Sequence, residues 1–248
     1  MCGRFNILTD AEALLSIFEI MNVDFELKAY THQYNISPSP RNTQINEENA
    51  QKLTQIPIVV GNKHGQKTML SAIWPLVPLW AGDCVPKYST ANARSETMTQ
   101  KASFRNSWRK SQRCLIPASG FYEWQKLPDQ PRKQPWHIYH TEQSVMSFAG
   151  LWEKGTNTEG ELFVSCAIIT TQANEMMSEI HNTNHRMPVI IDPQFRELWL
   201  TGESQEAYSL AATYGDGSLK ADRISTKINN PRYTKNDCIE TLTAVDIQ

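Results

Sequence analysis

The feature that most constrains the fold is a series of short segments, through the middle of the chain, in which apolar residues alternate with others. Residues 53–74 predict a β-hairpin, because apolar side chains alternate along 56–60 and Asn62 to Gly65 supply turn residues. Further strands are expected at residues 114–124, 135–140, 144–152 and 162–170.

Short helices are predicted on either side of these strands. Residues 9–12 have the form of a capping box, and apolar residues at helical spacing follow, so 10–20 is expected to be helical. A second helix is expected at 171–181, and Asp192 followed by Pro193 marks the start of a third. We therefore predict an α+β fold, a single β-rich domain over residues 1–248, with a barrel-like mixed sheet and short peripheral helices.

Charge and composition exclude several classes of protein. The chain has 24 basic and 26 acidic residues, a net charge of -2, which excludes a protein that coats nucleic acid through bulk positive charge and leaves room for a local basic groove. No apolar run approaches the roughly 18 residues of a membrane helix, and the first residues do not form a signal peptide. We expect a cytoplasmic monomer and no membrane partner.

The cysteines favour free thiols over a metal site. The chain has 5 cysteines, widely spaced, with no Cys-x-x-Cys pair, so the sequence predicts no zinc site. An odd number without a signal peptide is typical of a reducing compartment. Cys84, Cys114, Cys166 and Cys238 are interpreted as packing residues.

Cys2 is the residue that points to chemistry. It follows the initiator Met1, and removal of that methionine would leave Cys2 with a free α-amine beside its thiol. The amine has a reference pKa of about 7.7–8.0 and the thiol about 8.5, so both are partly deprotonated near neutrality. Such a 1,2-aminothiol condenses with an aldehyde to a Schiff base, which the thiol closes to a thiazolidine. The alternative is that position 2 is simply a small residue.

Short blocks of sequence also recur along the chain in the order seen in one known family. They span residues 2 to about 191 and are Cys2-Gly3-Arg4-Phe5, Tyr34-Asn35-Ile36-Ser37-Pro38, Trp74-Pro75-Leu76-Val77-Pro78, Asn92-Ala93-Arg94-Ser95-Glu96, Arg113-Cys114-Leu115-Ile116-Pro117, Gly120-Phe121-Tyr122-Glu123-Trp124, Thr170-Thr171 and Arg186-Met187-Pro188-Val189. In these blocks the chain resembles the SOS response-associated peptidase family, the abasic-site-processing proteins.

The resemblance implies the site residues. The catalytic set is Cys2, Asn92, Arg94, Glu123 and His181. The set that binds substrate or DNA is Gly3, Arg4, Asn35, Trp74, Arg94, Thr170 and Arg186. Glu123 corresponds to the family's catalytic glutamate, and an aromatic, buried setting would raise its pKa and suit a proton shuttle. His181 is expected to donate a proton to the deoxyribose ring oxygen. No metal, nucleotide or organic cofactor is implied. The resemblance also implies association with the nucleoid when DNA is damaged.

Two departures from the family pattern leave questions open. Pro75 stands where the family usually has glycine. The family's Ile-His-x-Arg-Met-Pro is three residues longer here, so His181 and His185 are both candidates for the active-site histidine, with His181 preferred because it follows Ile180.

A local nucleic-acid signal lies between Lys101 and Arg113. This stretch has five basic residues and no acid, and Phe104 and Trp108 are interleaved among them, which is typical of a track for a single-stranded backbone. A solvated helix face is the alternative. Trp74 or Phe5 is a further candidate to stack beside a lesion, with core packing as the alternative for both.

Together these features predict a sensor of abasic sites in single-stranded DNA. It would form a covalent thiazolidine cross-link through Cys2 after loss of Met1, shielding the lesion, with an associated self-processing peptidase activity. The alternatives are a thiol peptidase with Cys2 as nucleophile and His181 as base, and a non-covalent reader of damaged or modified DNA.

Overall fold

A computed structural model describes residues 2–21, 23, 25–62, 64–128 and 130–242. Twelve strands lie within these residues: β1 Phe5–Ile7, β2 Gln33–Ile36, β3 Gln55–Gly61, β4 Lys67–Ile73, β5 Asn92–Arg94, β6 Arg113–Ala118, β7 Gly120–Gln125, β8 Gln134–His140, β9 Met146–Thr156, β10 Leu162–Gln172, β11 Arg186–Pro188 and β12 Leu219–Arg223.

The helices among these residues are short. The α-helices are α1 Ala11–Phe18, α2 Arg105–Arg109, α3 Glu175–Ile180, α4 Arg196–Thr201 and α5 Ser204–Ser209. Turns of 3-10 helix lie at Leu27–Tyr30, Glu47–Lys52, Leu79–Ala81, Pro193–Phe195, Thr226–Asn229 and Asn236–Ile239.

Five of the strands close into a barrel, which confirms the predicted barrel-like mixed sheet. The ring runs β10-β4-β3-β6-β9 and returns to β10; the β10–β4 contact is parallel and the others are antiparallel. Closure removes the free sheet edges that a small open sheet would leave. Beyond the ring, β10 also pairs with β5 and β11, the strands that contain Asn92–Arg94 and Arg186–Pro188 of the sequence blocks.

A second sheet lies beside the barrel, in the order β12-β8-β7-β1-β2. The N-terminal strand β1 lies inside it, between β2 and β7. A frayed chain end is the usual state of an N-terminus, and pairing on both sides is what ties this one down.

The predicted strand at 114–124 is two strands that belong to different sheets. β6 is part of the barrel and β7 is part of the second sheet, and the chain turns between them at Ser119. The backbone N–H of Ser119 donates to the Asn6 carbonyl, and its hydroxyl accepts from the Leu8 N–H. A Cβ at Gly120 would lie 2.2 Å from Nε2 of His137, so the corner requires glycine.

Two helix predictions need correction at their ends. Asp10, not Thr9, caps α1, since its carboxylate accepts from the Ala13 N–H at 2.8 Å. The helix expected from residue 171 begins at Glu175 instead, because β10 continues to Gln172 and pairs there with β11. Tertiary pairing therefore decides where this strand stops and the helix begins.

The C-terminal segment, residues 224–242, returns to the second sheet. Ile224, Ile228 and Cys238 form a buried cluster with Tyr122 of β7. Residues beyond the sequence blocks thus pack against the strand that carries Glu123.

Candidate active site around Cys2

The thiol of Cys2 is fully buried at the junction of the barrel and the second sheet. The Asn92 side-chain N–H donates to the Cys2 carbonyl at 2.9 Å. The Oδ1 atom of Asn92 is buried and has no hydrogen-bond partner among the described residues. A buried acceptor of this kind costs free energy unless something donates to it, so a substrate hydroxyl or the Cys2 amine is a suitable donor. Met1 lies outside the described residues, so its removal stays a prediction.

Glu123 lies on β7, whose register brings it level with the first residues of the chain. Phe121 pairs with Phe5, and the Tyr122 N–H donates to the Arg4 carbonyl. Burial of the Glu123 carboxyl raises its pKa to about 7, so both protonation states are populated near neutrality. Burial, and then the neighbouring Glu123 carboxylate, raise the pKa of the Cys2 thiol far above its ordinary value.

His181 is the histidine that faces Glu123. Its Nε2 lies 3.7 Å from a Glu123 carboxylate oxygen, and both side chains are buried. His185, the alternative candidate, is exposed and has a left-handed backbone with φ 50°. The three extra residues form a turn, in which the Asn184 and His185 N–H groups donate to the His181 carbonyl.

The hydrogen bond of His181 to Arg186 assigns the ring proton to Nδ1. Nδ1 lies 2.9 Å from the Arg186 carbonyl, an acceptor only, so Nδ1 carries the proton and Nε2 is left as an acceptor. Burial lowers the pKa of His181 to about 4, so the ring is neutral at neutral pH. The expected donation to a ring oxygen therefore requires that Nε2 first receive a proton.

Asn92 and Arg94 lie on one face of β5, as their spacing predicts, with Ala93 buried between them. Arg94 is exposed, and its backbone is paired with Thr170 on β10. An exposed guanidinium two residues from a side chain that holds Cys2 is well placed to bind a phosphate.

Arg4 and Trp124 line an open cleft of about 450 Å³ beside Gly3. The Arg4 guanidinium lies 5.2 Å from the centroid of the Trp124 ring. The remaining lining residues are Arg132, Lys133 and Asn229. The cleft next to the N-terminal residues is therefore lined by three cationic side chains and one aromatic ring.

The structure places the two proposed stacking aromatics in the core, which corrects that expectation. Trp74 and Phe5 are both fully buried, and their rings meet edge to face at 5.4 Å between centroids. The Trp74 indole N–H donates to the Ala91 carbonyl at 2.9 Å. With no exposed face, neither ring can stack on a base in this conformation. Pro75 follows Trp74 through a cis peptide bond.

Three other predicted binding residues face inward. Thr170 is fully buried, and its carbonyl accepts from Arg186 at 2.6 Å. The Arg186 guanidinium also donates to both carboxylate oxygens of Glu96. The positive charge of Arg186 is therefore neutralised by this ion pair instead of facing solvent. The Asn35 side chain donates to the carbonyls of Asn230 and Tyr233, at 3.1 and 3.0 Å. These contacts suit residues that shape the site instead of touching DNA.

The basic stretch at 101–113 is likewise divided by the fold. Phe104 and Trp108 are buried, and Arg113 is 1% exposed, donating to the carbonyls of Trp199 and Gly202 at the end of α4. The two aromatic residues of this stretch therefore pack in the core, which contradicts the prediction that they stack on a single-stranded nucleic acid. The exposed cations of this stretch are Lys101, Arg105, Arg109 and Lys110.

An exposed aromatic pair was missed in the sequence. Trp80 and Tyr88 stack at 5.8 Å with 25° between their planes, and they are 53% and 45% exposed. They lie on the connection between β4 and β5, the strand that begins at Asn92. Two aromatics in a proline-containing connection between strands, with Lys87 next to Tyr88, are the signal that could have identified the pair.

The described residues contain neither a metal-binding cluster nor a membrane-spanning helix. No cluster of three or more His, Cys, Asp or Glu side chains in this part of the chain could hold a metal ion. No helix in the same part is both long and apolar enough to cross a membrane. All five cysteines are free thiols.

Comparison with known proteins gives one consistent result. A family model described as SOS response associated peptidase (SRAP) matches residues 1–231. Abasic site processing protein YoqW of Bacillus subtilis (strain 168) is 34% identical over 245 residues, which cover 97% of this chain and 99% of that protein. Abasic site processing protein HMCES of Xenopus tropicalis is 32% identical over 215 residues, 74% of this chain and 62% of that protein. A crystal structure of a Bacteroides thetaiotaomicron protein superposes with a TM-score of 0.81 at 23% identity, covering 98% of this chain and 100% of that one, and shows the same fold.

Proposed function

This chain belongs to the SOS response associated peptidase (SRAP) family, and from that premise we propose that it processes abasic sites in single-stranded DNA by capturing them covalently on Cys2. The observation that carries the proposal is the group of buried Cys2, Glu123 and His181, with the half-buried Asn92 bonded to the Cys2 carbonyl. A buried thiol at the second residue, beside a carboxyl with a pKa of about 7, suits aminothiol chemistry on an aldehyde.

The reaction begins after Met1 has been removed. The free Cys2 amine attacks C1′ of the ring-opened abasic deoxyribose and forms a carbinolamine. Glu123 accepts a proton from the attacking nitrogen and returns one to the leaving hydroxyl, which departs as water. A carboxyl whose pKa lies near 7 is able to do both at neutral pH.

Ring closure then fixes the product. The Cys2 sulfur adds to the carbon of the Schiff base, and the thiol proton ends on the nitrogen through Glu123, so that C1′ carries one C–N and one C–S bond. Since the pKa of this thiol is raised, it enters as a neutral thiol and needs such an acceptor. His181 Nε2, 3.7 Å from Glu123, is placed to exchange a proton with that carboxyl and so to protonate the deoxyribose oxygen.

The surroundings of this group suit a nucleic-acid backbone. Arg94 is exposed beside Asn92, and Arg4 lines a cationic cleft next to Gly3. The exposed Trp80–Tyr88 pair offers a stacking surface for bases, a contact typical of single-strand binding. Each protein molecule would be consumed by one lesion unless the link reverses, and the shielded lesion would be protected from strand scission.

A denaturing gel tests the proposal. Protein verified to begin at Cys2 is mixed with a single-stranded oligonucleotide that carries one abasic site, and with the intact oligonucleotide. We expect a heat-stable shifted band only with the abasic strand, and none with Cys2→Ala or with an uncleavable extension before Cys2. Absence of the band with the wild-type protein would overturn covalent capture.

The alternatives predict no band in that gel and differ in assays of peptide cleavage and DNA binding. A thiol peptidase requires a thiolate, usually through a lowered pKa, whereas burial raises the pKa of Cys2. That activity would appear as peptide turnover without a DNA adduct. A non-covalent reader would bind the abasic strand equally well as Cys2→Ala and would leave no band after denaturation.

A further inference from the structure

The C-terminal segment reaches the chain end that carries Cys2. The 3-10 helix Thr226–Asn229 ends beside Arg4, and the Arg4 guanidinium donates to the carbonyls of Ile228 and Asn229, the latter at 3.1 Å. Carbonyls at the end of a helical turn lack partners within the helix, and a guanidinium is a strong donor to them. A residue two positions from Cys2 is thus bound by a segment more than 200 residues away in the sequence.

Asn229 makes a second contact that supports the first. Its side-chain Oδ1 accepts from the Trp124 indole N–H at 2.6 Å. The Arg4 guanidinium lies over that same indole ring, 5.2 Å from its centroid. Asn229 therefore holds Arg4 in two ways, through its own carbonyl and through the ring on which Arg4 rests.

These contacts connect the chain segments that carry Cys2 and Glu123, the two reacting residues of the proposed function. Trp124 directly follows Glu123 on β7, and Arg4 lies two residues after Cys2. A chain end is poorly ordered unless it is tied down, and rates fall steeply when reacting groups are misplaced. Asn229 lies outside the sequence blocks that point to the site.

We propose that Asn229 is a positioning residue, which sets the approach of Cys2 to Glu123 through Arg4 and Trp124. The inference rests on the proposed function for its kinetic consequence. Its structural consequence, an ordered N-terminal strand, is independent of DNA.

Single-turnover kinetics of cross-linking test the role. Asn229→Ala removes the acceptor for the indole, and we expect the rate at saturating abasic oligonucleotide to fall about 3- to 10-fold, in line with the loss of one hydrogen bond. Asn229→Asp keeps an acceptor at the same atom, so it should restore that rate to within about twofold, even though its added charge raises the half-saturating DNA concentration.

A matched control and a double variant show whether the effect comes from the bond between Asn229 and Trp124. Asn230→Ala changes the neighbouring asparagine, whose side-chain oxygen accepts from the backbone N–H of Arg232 in its own segment, and its rate should stay within about twofold of wild type. In a Trp124→Phe background, which removes the donor of the same bond, Asn229→Ala should have little further effect. Equal losses in Asn229→Ala and Asn230→Ala, or fully additive losses in the double variant, would overturn the proposal.

Hydrogen exchange separates this inference from the proposed function. We expect backbone amides of the N-terminal peptide, residues 2–8, to exchange several-fold faster in Asn229→Ala than in wild type or Asn230→Ala, measured without DNA. If the wild type forms no cross-link, the proposed function fails while this measurement still judges the positioning role. Unchanged exchange in Asn229→Ala would overturn it.

Discussion

Nε2 of His181 lies 3.7 Å from the carboxylate of Glu123, with both side chains buried. Burial favours the neutral form of each group: it raises the pKa of Glu123 to about 7 and lowers the pKa of His181 to about 4. A neutral imidazole beside a carboxyl that is half protonated near pH 7 can pass a proton in either direction with little charge separation. The pair is suited to a reaction that must both remove and supply protons.

The rate of cross-linking should depend on pH through Glu123. Its pKa of about 7 means that the carboxylate needed to accept the amine proton forms as the pH rises through that value. We expect the wild-type rate at saturating DNA to rise with a midpoint near pH 7, and Glu123→Gln to be slower by about 10²-fold or more, without that rise. A Glu123→Gln variant that keeps the wild-type profile would exclude this residue as the base.

The same group makes a prediction about stability. Between its reference pKa of 4.5 and its folded value of about 7, the unfolded chain has released the proton while the folded chain retains it. The wild type therefore loses stability as the pH rises through this window. Glu123→Gln should gain about 3 kcal/mol relative to wild type between pH 4 and pH 8, measured by urea unfolding at each pH. A constant difference would show that the carboxyl is not desolvated.

Asn92 should be required for orienting Cys2. Asn92→Ala removes the hydrogen bond to the Cys2 carbonyl and the buried Oδ1 acceptor. We expect the cross-linking rate to fall about tenfold or more, with binding of intact single-stranded DNA changed less than twofold. Anisotropy measures the binding and quenched time points measure the rate. An equal loss of both would assign Asn92 to DNA binding instead.

Arg94 should contact a phosphate, whereas Arg109 should not. Both are exposed, but Arg94 lies beside Asn92 and Arg109 lies in the stretch whose aromatics are buried. For single strands each phosphate contact contributes about 0.7 to the slope of log affinity against log salt. We expect Arg94→Gln to reduce this slope by about that amount and Arg109→Gln to leave it unchanged. The reverse result would restore the 101–113 stretch as the DNA track.

Substitution of Trp80 should lower DNA affinity, whereas substitution of Trp74 should lower the stability of the fold. Trp80→Ala removes half of an exposed stack and should weaken binding of single-stranded DNA by about 1–3 kcal/mol, with little effect on the melting temperature. Trp74→Phe loses a buried indole and its hydrogen bond to Ala91, so it should lower stability by about 1–3 kcal/mol while binding by the folded protein stays the same. A DNA-affinity loss in Trp74→Phe without loss of stability would contradict its core role.

The sequence predicted much of the barrel, and the structure brings together four of the predicted site residues, Cys2, Asn92, Glu123 and His181. Alternation identified the hairpin of β3 and β4, and the segments of β8, β9 and β10, because strands with one buried face leave a period of two. It did not separate β6 from β7, since an apolar run is continuous through a corner at which the chain changes sheets. Which histidine faces Glu123 was likewise open between His181 and His185.

The sequence by itself determined the chemistry available to this protein: a thiol at position 2, a carboxyl in an aromatic segment, and the family to which the chain belongs. Only the tertiary structure decided which side chains meet solvent. Trp74 and Arg186 are buried while Trp80 and Arg94 are exposed, although all four are of types that bind DNA. Exposure depends on contacts between residues far apart in the chain. The bond between Arg4 and the carbonyl of Asn229 is one such contact, and local sequence patterns do not predict it.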